Sequence, residues 1–200
     1  MKKSLNFLLI STMMIFMVGC GEDESGEETT ATSSSEVVQG WHFQGRDCLA
    51  CHNVDLQESK HLVFGGTLYK EKVVSNQDDL NNVCGGDFII NYLDNNSNVV
   101  YSSKDYIDVN SEGDKGKGNL FILKRELALI SAGSYTIEVT TQDGTTMAKS
   151  GPTHNFTSQD YDINNPQDTN NRVSCNACHI NGGEQPPLYV NFTANNTLCQ

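Results

Sequence analysis

Two copies of the motif Cys-x-x-Cys-His constrain this chain more than any other feature. They are Cys48-Leu49-Ala50-Cys51-His52 and Cys175-Asn176-Ala177-Cys178-His179. Two thiols three residues apart can add to the two vinyl groups of one porphyrin, and the adjacent His can then bind the iron. The motifs therefore predict two covalent c-type haems. The expected attachment residues are Cys48 and Cys51, and Cys175 and Cys178; the expected proximal iron ligands are His52 and His179.

Two other kinds of site use closely spaced cysteines, and both explain less of the pattern. A Cys₄ zinc site does not need a His directly after the second Cys of each pair. A thioredoxin-like redox pair is expected in a βαβ context, which this sequence does not indicate. With only seven Cys and five His in the chain, two chance copies of the whole motif are rare.

The first residues are typical of a bacterial export signal. Lys2 and Lys3 precede an apolar stretch from Leu5 to Val18, and Met17-Val18-Gly19-Cys20 resembles the lipobox that precedes a lipidated Cys. We expect residues 1–19 to be the signal peptide and Cys20 to carry the lipid, which predicts a lipid-anchored protein of the cell envelope. The expected membrane is the outer one, with the periplasmic face and the cell surface both open. The alternative is an ordinary secreted protein that is cleaved nearby.

Residues 20–39 follow as an acidic tether. Beyond Cys20 they are rich in Glu, Ser and Thr and contain no basic residue, a composition that predicts a disordered, self-repelling linker. The whole chain has a formal net charge of −12. That charge argues against nucleic acid and anionic membrane surfaces as partners and is compatible with a basic redox partner.

Residues 62–150 form a block of predicted β-structure. Short segments rich in aromatic and β-branched residues alternate with Asn, Asp, Gly and Ser clusters, and Tyr135, Ile137 and Val139 alternate with polar neighbours. The chain is predicted to be mainly β: an antiparallel β-sandwich flanked by two loop-rich haem segments, residues 40–61 and 151–200. The expected strands lie at 62–69, 87–93, 99–101, 119–123 and 134–140.

The β block resembles the carboxypeptidase regulatory-like, transthyretin-type sandwich. The motifs that carry the resemblance are Gly66-Thr67-Leu68-Tyr69, Leu93-Asp94-Asn95-Asn96, Gly118-Asn119-Leu120-Phe121 and Gly133-Ser134-Tyr135-Thr136-Ile137-Glu138-Val139. The resemblance covers just under half of the chain and implies a fold without implying a function. Such domains also occur beside Cys-x-x-Cys-His motifs in exported multihaem cytochromes, which the whole chain resembles.

Two cysteines have no role in the signal or the haem motifs. Removing Cys20 and the four motif cysteines from the seven leaves Cys84 and Cys199. Because an exported chain permits disulfides, we expect these two to pair and to tie the C-terminal tail to the β block.

Three histidines remain for the sixth coordination positions of the irons. His61 and His154 lie where the β block meets a haem segment, so they are the expected distal ligands, with His42 as the third choice. Local and crossed pairings with the two irons both remain open. Met147, the only Met after the signal, lies in a strand-like region and is expected in the core.

Bis-His ligation fills both axial sites and favours a low reduction potential, so the expected role is electron transfer, not catalysis. The expected partners are other redox proteins, including a chain or polymer of cytochromes. One alternative is a haem enzyme with an open axial site and peroxidase-like chemistry. The other is a β-sandwich binding or assembly module that carries the haems.

The segment Asp108–Gly113 begins like a Ca²⁺ loop but has Asn119 where the bidentate Glu belongs, which favours a solvated turn.

Overall fold

A computed structural model describes residues 43–105, 116–126, 131–151, 154–156, 161–162, 164–165 and 174–200. The predicted signal peptide, Cys20, the predicted acidic tether, His42 and the segment Asp108–Gly113 lie outside these residues. No helix in the described ranges has the length and the apolar character needed to cross a membrane.

The described chain is mainly β with antiparallel sheets, as the sequence predicts. All five expected strands are present, with bounds that differ by at most two residues. The strands are β1 (Leu62–Thr67), β2 (Phe88–Leu93), β3 (Val99–Ser102), β4 (Asn119–Leu123), β5 (Gly133–Thr141), β6 (Thr146–Lys149) and β7 (His154–Phe156). The helices are α1 (Cys48–His52) and α2 (Cys175–Cys178), with 3₁₀ turns at Glu58–Lys60, Ser103–Asp105, Lys124–Glu126 and Thr193–Leu198.

The strands form two sheets. β1 pairs with β4, with Gly65 opposite Phe121 and Gly66 opposite Leu120. The other sheet has the order β3-β2-β5-β6, and β7 pairs with the first residues of β5. The nine-residue strand β5 can hold β6 and β7 at its two ends because each of them is short.

One buried cluster contains residues from both sheets. Each expected apolar residue of β5 contributes to it: Val139 is buried, and Tyr135 and Ile137 pack against it. Met147 is fully buried in the cluster, as expected from the sequence. The buried members are Phe64, Leu68, Cys84, Phe88, Ile90, Tyr92, Leu120, Ile122, Val139, Met147, Ala148, Phe156 and Val190.

The prediction that one face of β5 is polar and exposed to solvent is only partly correct. Thr140, expected to face solvent, is 5% exposed. Its hydroxyl accepts a hydrogen bond from the side-chain amide of Asn91 on β2 (3.5 Å), so the neighbouring strand gives this polar group a partner inside the protein.

The predicted disulfide between Cys84 and Cys199 is present, with the two Cα atoms 4.6 Å apart. Cys84 is fully buried, and the backbone N–H of Gln200 donates to the Gly85 carbonyl (2.9 Å). The C-terminal tail is therefore bound to the segment between β1 and β2.

Strand β7 was not expected, because residues 151–200 were predicted to be loop-like. Three residues are too few to display an alternation that sequence analysis can detect. The strand forms because Phe156 enters the core and the backbone of His154 pairs with that of Tyr135.

Candidate functional site

Both Cys-x-x-Cys-His motifs contact the same strand, β1. A Cβ atom added at Gly65 would lie 2.8 Å from the Cβ of Cys48, and one added at Gly66 would lie 2.7 Å from the Cβ of Cys175. Because successive residues of a strand face opposite sides, α1 and α2 reach β1 from opposite faces. The two motifs, distant in sequence, are therefore neighbours across the backbone of one strand.

The first motif begins at a capped helix end. The Asp47 carboxylate accepts hydrogen bonds from the backbone N–H groups of Leu49 (3.1 Å) and Ala50 (3.3 Å), which fixes the first turn of α1. At the other end of α1, the Asn53 side chain donates to the Leu62 carbonyl (2.8 Å) and accepts from the Leu62 N–H (2.7 Å). This pair of bonds fastens the motif to the start of β1.

The second motif is fastened by Asn176, which is only 2% exposed. Its carbonyl oxygen accepts from the backbone N–H of Thr67 (3.1 Å). Its amide group donates to the Thr67 hydroxyl (3.1 Å) and to the Arg46 carbonyl (2.7 Å). One side chain thus connects α2 to the end of β1 and to the residues before α1.

The two motifs meet at the edge of β1 that is not paired with β4. Ser174 forms an isolated bridge with Gly65 along this edge, and its hydroxyl donates to the Asp47 carboxylate (2.5 Å). The amide nitrogen of Asn176 lies 3.9 Å from the sulfur of Cys48. The starts of the two motifs are joined by direct polar contacts.

The histidines of the two motifs share one hydrogen-bonding arrangement. Nδ1 of His52 lies 2.8 Å from the Lys60 carbonyl, and Nδ1 of His179 lies 2.8 Å from the Pro186 carbonyl. A carbonyl only accepts hydrogen bonds, so in each neutral ring Nδ1 carries the proton and Nε2 has the lone pair that binds a metal. Histidine ligands commonly have a partner of this kind, which fixes the tautomer and the ring orientation.

Burial shifts the pKa values of His52, Cys48 and Cys175. It lowers the pKa of His52, an effect that the bond to the Lys60 carbonyl opposes and the charges of Lys60 and His61 assist. The neutral imidazole that iron requires is therefore favoured. Burial, with a smaller contribution from the Asp47 charge, raises the pKa of Cys48 to about 12. Burial and then the neighbouring Cys48 raise the pKa of Cys175 to about 12, so both thiols are neutral at physiological pH.

Three of the four motif cysteines, Cys48, Cys175 and Cys178, are free thiols, the form from which thioethers are made.

Two features of the surroundings bear on a covalent porphyrin. A small pocket beside Cys48 and His52 is lined by Leu62, Asn119, Leu120 and Phe121, and most of its wall is apolar. Beside the second motif, Tyr92 is fully buried and its hydroxyl has no hydrogen-bond partner among the described residues. The pKa of Tyr92 lies well above its usual value because of burial and then the nearby Cys175. A buried hydroxyl of this kind calls for a polar partner, which a group bound at Cys175 can supply.

The expected distal ligands lie in different places. His61 directly precedes β1, and its Nε2 lies 3.1 Å from the Leu56 carbonyl. His154 pairs with Tyr135 across β5 and β7, so both side chains leave the same face of the sheet. The Tyr135 ring lies 5.9 Å from the Tyr92 ring, and Tyr92 is close enough to Cys175 for that cysteine to raise its pKa. The face that carries Tyr135 and His154 therefore lies near Cys175.

The residues that hold the motifs in place were not predicted from the sequence. They are Gly65, Gly66, Asp47, Asn53 and Asn176. Adjacent glycines inside an otherwise β-like segment were the one available signal, because Gly in a strand often marks a close approach by another backbone. The two asparagines gave no signal, since their partners become apparent only when distant residues meet.

Within the described ranges, no three His, Cys, Asp or Glu side chains converge into a group that could hold a metal ion. A covalent c-type haem does not require such a group, because the porphyrin supplies four of the iron ligands. Comparisons with family models, with curated proteins and with solved structures found no match to this chain.

Proposed function

We propose that this protein is a dihaem c-type cytochrome that carries electrons at the bacterial cell envelope. One haem would be joined to Cys48 and Cys51 and the other to Cys175 and Cys178. His52 and His179 would be the proximal ligands. Each haem supplies an iron that gains or loses one electron.

The observation that carries this proposal is the repeated local geometry of the two motifs. Each places two cysteines on a single helical turn, and each histidine has its Nδ1 2.8 Å from a backbone carbonyl. Cysteines with no role in binding a metal or cofactor would need neither the histidine nor its orienting carbonyl. The same arrangement twice, on unrelated flanking sequence, supports a shared chemical task.

The position of the motifs on β1 supports electron exchange within the molecule. The first cysteines, Cys48 and Cys175, lie against consecutive residues of one strand. Groups attached there would be close neighbours. The chain's task is then to hold two carriers at a fixed separation and to limit the access of water to the second, where Cys175 packs against the core that contains Tyr92.

We propose His154 as the distal ligand of the second haem, because it is paired with Tyr135, whose ring lies 5.9 Å from the ring of Tyr92. His61 is the candidate for the first haem. One contact favours the peroxidase-like alternative: Nε2 of His61 is bonded to the Leu56 carbonyl (3.1 Å). If that bond persists, His61 does not bind the iron, and the first haem retains an open sixth position unless His42 fills it.

The sequence and the fold support the remaining parts of the proposal. The two sheets share one core, which is compatible with the transthyretin-type sandwich that the sequence resembles. The export signal and lipobox-like Cys20 support a lipid-anchored location on the outer membrane, facing the periplasm or the cell surface. The partners would be other redox proteins, including further copies in a cytochrome polymer, and not nucleic acid.

Mass and visible spectra of the full chain, matured in a bacterial host that attaches c-type haem, test the proposal. We expect two haems per chain and the loss of one haem in each of the variants C51S and C178S. Low-spin spectra that carbon monoxide does not change would support bis-His electron transfer. Carbon monoxide binding at one haem would favour the open-site alternative, and a chain matured without haem would refute the proposal.

A further inference from the structure

One carboxylate contacts both attachment motifs. Oδ1 of Asp47 accepts from the N–H groups of Leu49 (3.1 Å) and Ala50 (3.3 Å) at the start of α1. The same oxygen accepts from the Ser174 hydroxyl (2.5 Å) at the start of α2. Oδ2 accepts from the hydroxyl of Tyr161. Four donors thus hold Asp47 between the motifs.

Within the described ranges, no cation lies close enough to neutralise the charge of Asp47. Among the described residues, no Lys, Arg or His side chain forms an ion pair with it. The guanidinium of Arg46, the adjacent residue, lies 5.0 Å from the centre of the Phe43 ring. The field of the carboxylate reaches both sites, since it contributes to the raised pKa of Cys48 and of Cys175.

We propose that Asp47 is a positioning residue whose negative charge lowers the reduction potentials of both haems together. The inference rests on the proposed function. A nearby anion favours the oxidised form of an iron centre, because that form carries one more positive charge. Its bonds to Leu49 and Ala50 of one motif and to Ser174 of the other fix the anion relative to both haems.

The variant D47N removes the charge and keeps most of the contacts. Its amide oxygen can still accept from Leu49, Ala50 and Ser174, and its NH₂ group can donate to the phenol oxygen of Tyr161. Spectroelectrochemical titration should give upward shifts of both potentials. The matched control is D55N, which removes an exposed charge near the first motif only. It should shift the potentials less, and mainly that of the first haem.

A second variant should shift both reduction potentials in the opposite direction. S174A deletes a donor to the carboxylate and leaves the charge in place, so the charge is less well compensated and both potentials should fall. It also keeps the test informative if D47N matures poorly. Because Ser174 joins the motifs, the haem-free S174A chain should have a lower melting temperature than the haem-free wild type, a readout that needs no bound group.

Three outcomes decide between the possibilities. Two haems in the wild type, with both potentials raised by D47N and lowered by S174A, would support the inference. Two haems in the wild type, with D47N no different from D55N or changing only one potential, would overturn the inference and leave the proposed function standing. A wild type without haem would overturn both.

Discussion

At the scale of single residues, the site depends on two glycines, which have no side chain. Gly65 and Gly66 allow two helices to approach β1 so closely that a methyl group has no room on either face. Neither glycine has a positive φ angle, so the requirement is one of space and not of backbone conformation. Any larger residue must displace the first cysteine of a motif.

Replacing each glycine by alanine should separate the two sites. G65A should displace Cys48 and G66A should displace Cys175. Each variant should lose about 1–3 kcal/mol of unfolding free energy, because the close-packed surroundings must move. Mass spectrometry of haem peptides should show incomplete attachment at the first motif in G65A and at the second motif in G66A.

The matched control for this pair is G151A. An added Cβ at Gly151 meets no described heavy atom within 4 Å, so stability and haem content should stay at wild-type values. Complete attachment at both motifs in G65A and G66A would show that the strand does not determine the position of the cysteines.

At the scale of secondary-structure elements, two asparagines perform corresponding tasks. Asn53 connects the end of α1 to Leu62, and Asn176 connects α2 to Thr67. Helices of five and four residues are too short to be stable alone. Their position therefore comes from these side chains and from the strand beneath them.

Removing the buried asparagine should cost more than removing the partly exposed one. N176A leaves the buried N–H of Thr67 without its partner, so we expect a loss of about 1–3 kcal/mol in unfolding free energy. N53A should cost less, because water can reach Leu62 once the side chain is gone. Urea unfolding of the haem-free chains measures both values.

N95A provides the reference for this comparison, since Asn95 is exposed in the turn after β2. It should have little effect on stability. If N176A unfolds at the same urea concentration as N95A, the polar contacts of Asn176 are not what holds α2 on β1.

At the scale of the whole molecule, the disulfide fixes the position of the C-terminus. Cys84 and Cys199 are 115 residues apart in sequence, and the bond encloses β2 to β7 and the second motif in one loop. A cross-link over so long a loop removes much of the conformational freedom of the unfolded chain.

The double variant C84S/C199S should lose about 4–5 kcal/mol of unfolding free energy by the chain-entropy estimate for a loop of this length. Dithiothreitol should destabilise the wild type by a similar amount and leave the double variant unchanged. The haem content should not fall with dithiothreitol, because thioethers resist thiol exchange. Equal stability of wild type and variant would mean that the unfolded chain is already constrained there.

The sequence by itself determined the local chemistry and the local structure. The haem motifs and the five expected strands depend on residue type and short spacing, and the pairing of Cys84 with Cys199 followed from counting cysteines. The five strands and the disulfide are present in the fold. The haems, the lipid anchor and the distal histidines remain predictions from the sequence.

Only the tertiary structure determined that the two motifs are neighbours and which residues connect them. Cys48 and Cys175 are separated by more than half of the chain, and they become neighbours because the chain returns to the unpaired edge of β1. The shared carboxylate of Asp47 and the contacts of Asn176 follow from that return. Spacing rules describe residues a few positions apart, so they could identify each motif but not the strand that brings the two together.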